Sequence, residues 1–166
     1  MKSVLKLIAI TILLVSAAFI PARTNAQFFV MENPLLNEKA PDFTLNNMKG
    51  EKVNFAQYRD HKPTILFFWA TWCPHCRQEL KELNKAKNEI LQKGIKILLV
   101  DVGEDAAQVN KYVAKNNLTF DIVLDADQEI GEKYGLIGVP TFFFVNQDGV
   151  VKAVEHVLPK KFEDIF

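Results

Sequence analysis

From Asp42 onward the chain passes between short apolar runs and amphipathic stretches, and this alternation predicts most of its elements. Phe43 and Leu45 alternate with polar residues, Asn-Asn-Met-Lys-Gly supplies a turn, and Val53 and Phe55 resume the alternation, which is the pattern of a β-hairpin. After Pro63, Thr-Ile-Leu-Phe-Phe-Trp-Ala is an almost unbroken apolar run with aromatic and β-branched residues. Such a run is expected of a strand buried on both faces, as in a parallel sheet. Pro74 then stands where the first turn of a helix tolerates a missing N–H. Leu80, Leu83, Ala86, Ile90 and Leu91 recur at helical spacing, with Lys and Glu between them, until Gly94 gives a stop.

The same reading continues to the end of the chain. Ile-Lys-Ile-Leu-Leu-Val-Asp-Val, residues 95–102, is a second buried strand. Ala106, Val109 and Val113 mark a second helix that starts near Asp105 and stops at Asn116-Asn117. Residues 120–125 form a third short strand, 128–135 a short helix, and 141–157 two strands around an Asn-Gln-Asp-Gly turn. The tail, Leu-Pro-Lys-Lys-Phe-Glu-Asp-Ile-Phe, has little material for a closing helix. Strands alternating with helices predict an α/β fold with a parallel centre, and the closing hairpin makes the sheet mixed. In open sheets of this kind the reactive site lies beyond the carboxyl ends of the parallel strands. Cys73 follows the first of those strands and Glu104 the second, so the two are expected at one edge.

Length and charge narrow the setting. A chain of 166 residues holds one domain with a proper core. At its start, Lys2 and Lys6 precede an uncharged, mostly apolar run from Leu7 to Ile20, and Thr24 and Ala26 are small residues ahead of Gln27. This is the pattern of a secretory signal peptide. The alternative is an uncleaved membrane anchor, although a bilayer crossing wants about 20 apolar residues. Both readings place the globular part outside the cytoplasm, in the periplasm or its equivalent. The expected organisation is a signal peptide over 1–26, a linker over 27–39 and one domain over 40–166. The chain has 20 basic and 20 acidic residues, and taking away Lys2, Lys6 and Arg23 leaves 17 basic against 20 acidic. A faintly acidic domain gives no reason to expect a nucleic-acid partner.

Cys73 and Cys76 are the chain's two cysteines, set in Phe-Phe-Trp-Ala-Thr-Trp-Cys-Pro-His-Cys. Exported proteins that use disulfides as staples carry several. A loop this short contributes only about 2 kcal/mol by chain entropy, against about 4.7 for a hundred-residue loop. A structural zinc site wants four ligands, and His61, His75 and His156 do not fall at ligand spacing. Covalent haem attachment needs a histidine directly after the second cysteine, where Arg77 stands. No metal or other cofactor is called for. Redox cycling fits better. The attacking species is a thiolate, and a helix N-terminus offers it unpaired N–H groups and a partial positive charge. Cys73 would cap such a helix, and Cys76, one turn in, could reach back to resolve a mixed disulfide.

With these residues in place the chain resembles the thioredoxin superfamily. Within it, the chain is similar to the exported thiol–disulfide oxidoreductases of the TlpA/ResA/CcmG type. The resemblance is carried by Ala-Pro-Asp-Phe-Thr-Leu, by the Cys-Pro-His-Cys segment through Leu83, by Leu-Leu-Val-Asp-Val-Gly-Glu-Asp, and by Gly-Val-Pro-Thr-Phe-Phe-Phe-Val. It runs from Ala40 to His156. It implies a thioredoxin-like fold, with a central mixed sheet flanked by helices and an N-terminal β-hairpin. It implies an exposed attacking Cys73 and a buried resolving Cys76. Trp72, Val139 and a cis Pro140 would meet the substrate chain. Glu104 would lie near the cysteines, where its charge would raise the thiol pKa values and accept a proton. Pro74 and His75 would tune the potential, because a histidine favouring the Cys73 thiolate makes the disulfide a stronger oxidant. The superfamily spans about −270 to −120 mV.

The implied function is reduction of disulfides in exported proteins, cytochrome c maturation included. The implied partners are protein thiols and disulfides and a membrane electron donor of the thiol–disulfide type, met by a monomer. Two alternatives remain: an oxidising, disulfide-forming protein, and a thiol peroxidase of the peroxiredoxin type. Peroxiredoxins share the Ala-Pro-Asp-Phe-Thr-Leu opening but place a threonine three residues before the cysteine, where Ala70 stands here.

Overall fold

The structure, a computed structural model, describes residues 32–166, so the expected signal peptide lies outside the described residues. A hairpin opens the fold, with β1 at Thr44–Asn47 and β2 at Lys52–Asn54. Then come α1 (Phe55–Arg59), β3 (Thr64–Trp69), α2 (Pro74–Gln92), β4 (Lys96–Val102) and α3 (Ala106–Asn116). The chain continues through β5 (Asp121–Asp125), α4 (Glu129–Lys133), β6 (Thr141–Val145) and β7 (Val151–Glu155), and closes on a single 3-10 turn at Phe162–Ile165.

All seven strands form one sheet in the order β2-β1-β5-β4-β3-β6-β7. β3, β4 and β5 are parallel, while β1, β2, β6 and β7 pair antiparallel. This is the thioredoxin-like mixed sheet expected from the sequence. Every residue of β3 is buried because the strand serves two cores at once. Ile65, Phe67 and Trp69 pack with Leu80 and Leu83 of α2 and Val109 of α3, while Leu66 and Phe68 pack on the other face with Phe55, Ile130 and Tyr134. Burying an aliphatic or aromatic side chain contributes about 1.5–3 kcal/mol, so this strand anchors the fold on both sides. Gly94 ends the α2 region at φ +76°, a left-handed conformation that a side chain would strain.

Four details qualify or extend the pattern reading. Phe55 does not continue a strand but opens α1, because Asn54 caps that helix by accepting from Gln57 N and the Asp42 carboxylate accepts from Ala56 N. The Phe55 ring still turns inward and stacks on Phe43 at 5.0 Å. Leu91, placed on the buried stripe by periodicity, is 46% exposed near the end of α2. The tail makes no full helix, yet it is tied down: Phe162 is buried, and Leu158 N donates to Glu79 Oε2 of α2 at 2.8 Å. Residues 33–39, assigned to the linker, are also held against the domain. Asn33 Nδ2 donates to Tyr134 O, and Asn37 N donates to Val151 O.

Candidate active site

β3 runs out at Trp69, and four residues later Cys73 caps α2 in an extended conformation, with φ −80° and ψ 115°. Pro74 follows inside the first turn, where its missing N–H has no intrahelical partner to lose. The Cys73 sulfur accepts from Cys76 N at 3.2 Å, so one of the free N–H groups of the helix start is aimed at it. On its other side Cys73 Sγ donates to Val139 O at 3.6 Å. The Val139–Pro140 bond is cis, as expected. The two cysteines are free thiols.

The thiol environment departs from expectation in one respect. Cys73 is only 4% exposed, less open than the resemblance implied, because its sulfur is tucked between the α2 start and the Val139 carbonyl. Cys76 is fully buried. Burial, and then the neighbouring Cys73 sulfur, push the Cys76 thiol far above the ordinary cysteine range. Cys76 is therefore a thiol in the resting protein and needs to lose its proton before it can attack. His75 is exposed in the first turn of α2, and the sulfur of Cys73 takes its hydrogen bond from the backbone instead.

Glu104 is buried at the edge where it was expected, but its carboxylate meets the loop before Cys73 rather than a sulfur. Oε2 accepts from Thr71 N at 2.5 Å and Oε1 from Thr71 Oγ1 at 2.6 Å. Arg77 Nη1 donates to Thr71 O at 3.1 Å, so every polar group of Thr71 is held. Trp72, next in the chain, is 64% exposed beside the dithiol.

Pattern reading missed several neighbours of this site. Ile137 is 80% exposed two residues before Val139, and its signal was a large apolar residue in a glycine-flanked loop. His156 follows β7, and its Nδ1 lies 2.9 Å from Pro140 O and 3.2 Å from Thr141 Oγ1, bracing the cis-proline segment. Asp101 sits fully buried near the end of β4, and its signal was a carboxylate at an inward position of an apolar run.

A dithiol delivered by a parallel strand to a helix start, opposite the carbonyl before a cis-proline, defines the class: this is a thioredoxin-like thiol–disulfide oxidoreductase. Residues 36–154 match the AhpC/TSA family, and the chain belongs to it. It is 33% identical over 144 residues to the thiol-disulfide oxidoreductase ResA of Geobacillus thermodenitrificans, covering 86% of this chain and 82% of that protein. Among solved structures it is similar to a secreted disulfide oxidoreductase of Mycobacterium tuberculosis, homologous to Escherichia coli DsbE. That pair has 27% identity and a TM-score of 0.61, over 71% of this chain and 84% of the other. StoA from Bacillus subtilis is also similar, at 27% identity and a TM-score of 0.62, over 75% and 93% of the two chains.

Proposed function

We propose that the protein reduces disulfides of exported proteins outside the cytoplasm, apocytochromes c among them, with Cys73 as nucleophile and Cys76 as resolving thiol. The observation that carries this reading is the seat of Cys73 Sγ between Cys76 N and Val139 O. The Cys73 thiolate attacks one sulfur of the substrate disulfide, forming a mixed disulfide, and the second substrate sulfur leaves as a thiolate that takes a proton. Cys76 then loses its proton and attacks Cys73 Sγ. The substrate departs fully reduced and the protein holds the Cys73–Cys76 disulfide. A membrane dithiol donor returns two electrons to it. Trp72 and the Val139–Pro140 backbone receive the substrate chain, a monomer suffices, and residues 1–26 direct export. The secreted M. tuberculosis relative supports that location.

The reducing direction rests on how little holds a Cys73 thiolate. A protein whose reduced form is well stabilised is a strong oxidant. Here one backbone N–H reaches the sulfur, and His75, which with Pro74 was expected to tune the potential, adds no hydrogen bond to it. The peroxidase reading is weaker still: Ala70 is buried where peroxiredoxins carry threonine, and the Thr71 hydroxyl is committed to Glu104.

Insulin reduction should proceed with the wild type and be lost in Cys73→Ala, and equal activity in both would remove the assignment. Equilibration in glutathione buffers then tests direction. A potential near the thioredoxin value of about −270 mV is expected, and one near −120 mV would make the protein an oxidant.

A further inference from the structure

The end of β4 carries an arrangement that disulfide exchange does not by itself require. Asp101 lies beside Trp69 in the β3–β4 register, on the sheet face that also packs α2 and α3, and has no solvent exposure. Among the described residues no donor meets either of its carboxyl oxygens in good hydrogen-bond geometry, and Nε1 of Trp69, its register neighbour, has no partner either. The Glu104 side chain and, more weakly, the Glu104 backbone N–H are the polar groups that bear on it. An ionised carboxylate in such a place gives up its water and receives no well-placed donor in return, whereas a protonated one is far less penalised.

Glu104, three residues on, is buried in the opposite condition. Both its oxygens accept from Thr71, which is the acceptor-only chemistry of a carboxylate. Glu104 is the charge that bears on Asp101. The other titratable or charged groups on this face are Cys73, Cys76, Arg77 and the buried Glu79 from α2, the last accepting from Leu158 N in the tail, and Tyr112 from α3, which packs on Trp69. β3 contributes Trp69 and β5 contributes Leu124, which is uncharged, while Asp125 of β5 turns to the other face and binds the start of α4. Burial first, and the facing Glu104 charge second, push Asp101 up to about 8.

We propose that Asp101 is a positioning residue: it keeps its proton in the working enzyme and so leaves Glu104 as the single buried anion that clamps Thr71 ahead of Cys73. When Asp101 ionises, two anions share one dry space, Glu104 is driven off the Thr71 N–H and hydroxyl, and Cys73 loses its fixed approach to Val139 O. The route acts on the loop, independently of which way electrons flow.

The test is an NMR titration of the ¹⁵N-labelled chain from about pH 6 to about pH 9.5, following the Thr71 amide and the Trp69 indole N–H. In the wild type both signals should move together with one midpoint near pH 8. The same midpoint should persist in a Cys73→Ser/Cys76→Ser double variant. Asp101→Asn should hold both signals at their low-pH positions. Glu104→Gln should lower the Trp69 midpoint by about one unit, because it removes the facing charge. Signals that still titrate in Asp101→Asn, that stop titrating without the thiols, or a Thr71 amide that stands still while Trp69 moves would each overturn the proposal. Insulin reduction adds a functional readout. The rate ratio of Asp101→Asn to wild type should be near one at neutral pH and rise to about threefold at pH 9. A ratio constant across pH would reduce Asp101 to a packing residue.

Discussion

Two neighbouring parallel strands each carry a buried aspartate at or next to their last residue, and the two are handled in opposite ways. Asp125 at the end of β5 is fully buried, and its oxygens accept from Ile130 N at 3.1 Å and Gly131 N at 2.8 Å. It does the work of a helix cap for α4, whose own N-cap residue, Gln128, makes no side-chain bond. Burial raises its pKa, and those two N–H groups pull it back. Asp101 is equally buried, one strand away and on the opposite face, and among the described residues no donor meets its oxygens in good geometry; the Glu104 backbone N–H helps it only weakly against burial and the Glu104 charge. The first aspartate completes a helix. The second can be accommodated only by holding a proton. What separates them is how well the backbone N–H groups of the following loop converge on the carboxyl: two at close range for Asp125, only a weak one from Glu104 for Asp101.

The largest effect that would break this contrast is a pH dependence of stability. Asp101 titrates near 8 in the folded protein and near the ordinary aspartate value of 3.8 when unfolded. Between those values the folded state binds the extra proton, so stability falls as pH rises, by at most about 1.4 kcal/mol per pH unit, and levels off above about pH 8. Urea unfolding across that window should show the slope in the wild type and its loss in Asp101→Asn. An unchanged slope would mean that the two aspartates are alike. Next in size, Asp125→Ala leaves two buried N–H groups of α4 unpaired and should cost about 3 kcal/mol in the same assay. A cost well under one would mean that those bonds do not hold α4. Smallest, Thr71→Val removes the hydroxyl bond to Glu104 but keeps the N–H bond, and should cost about 1 kcal/mol. Its insulin reduction should fall without total loss, and an unchanged rate would show that the loop clamp does not reach the chemistry.

Much of this was legible in the sequence, and the exceptions share a cause. The all-apolar run at 64–69 could only be a doubly buried strand, and Pro74 with Gly94 bracketed α2. The cysteine pair and Val139-Pro140 announced the site because their chemistry is bound to local spacing. Phe55 was misread because an inward apolar residue after a strand fits either another strand position or the first turn of a helix; Asp42, far back in the chain, supplies the hydrogen bond that favours the helix. Glu104 was placed at the right edge, but its partner is Thr71, and no periodicity tells which side chain a carboxylate will meet. Asp101 and Asp125 look alike on paper, each an acid at or next to the end of an apolar run. Only the three-dimensional path of the following loop distinguishes them.

The hydrogen bond from Cys73 Sγ to Val139 O has a kinetic consequence. In the resting protein the Cys73 thiol donates to a backbone carbonyl and is only 4% exposed. A small oxidant or alkylating agent offers that carbonyl nothing in exchange. An incoming polypeptide does, because one of its own amide N–H groups can take over the carbonyl as its strand pairs beside the cis-proline. Docking and unlatching then become one event. On the proposed reading the thiol is selective through the company its hydrogen bond keeps, shielded until a chain of the right form docks.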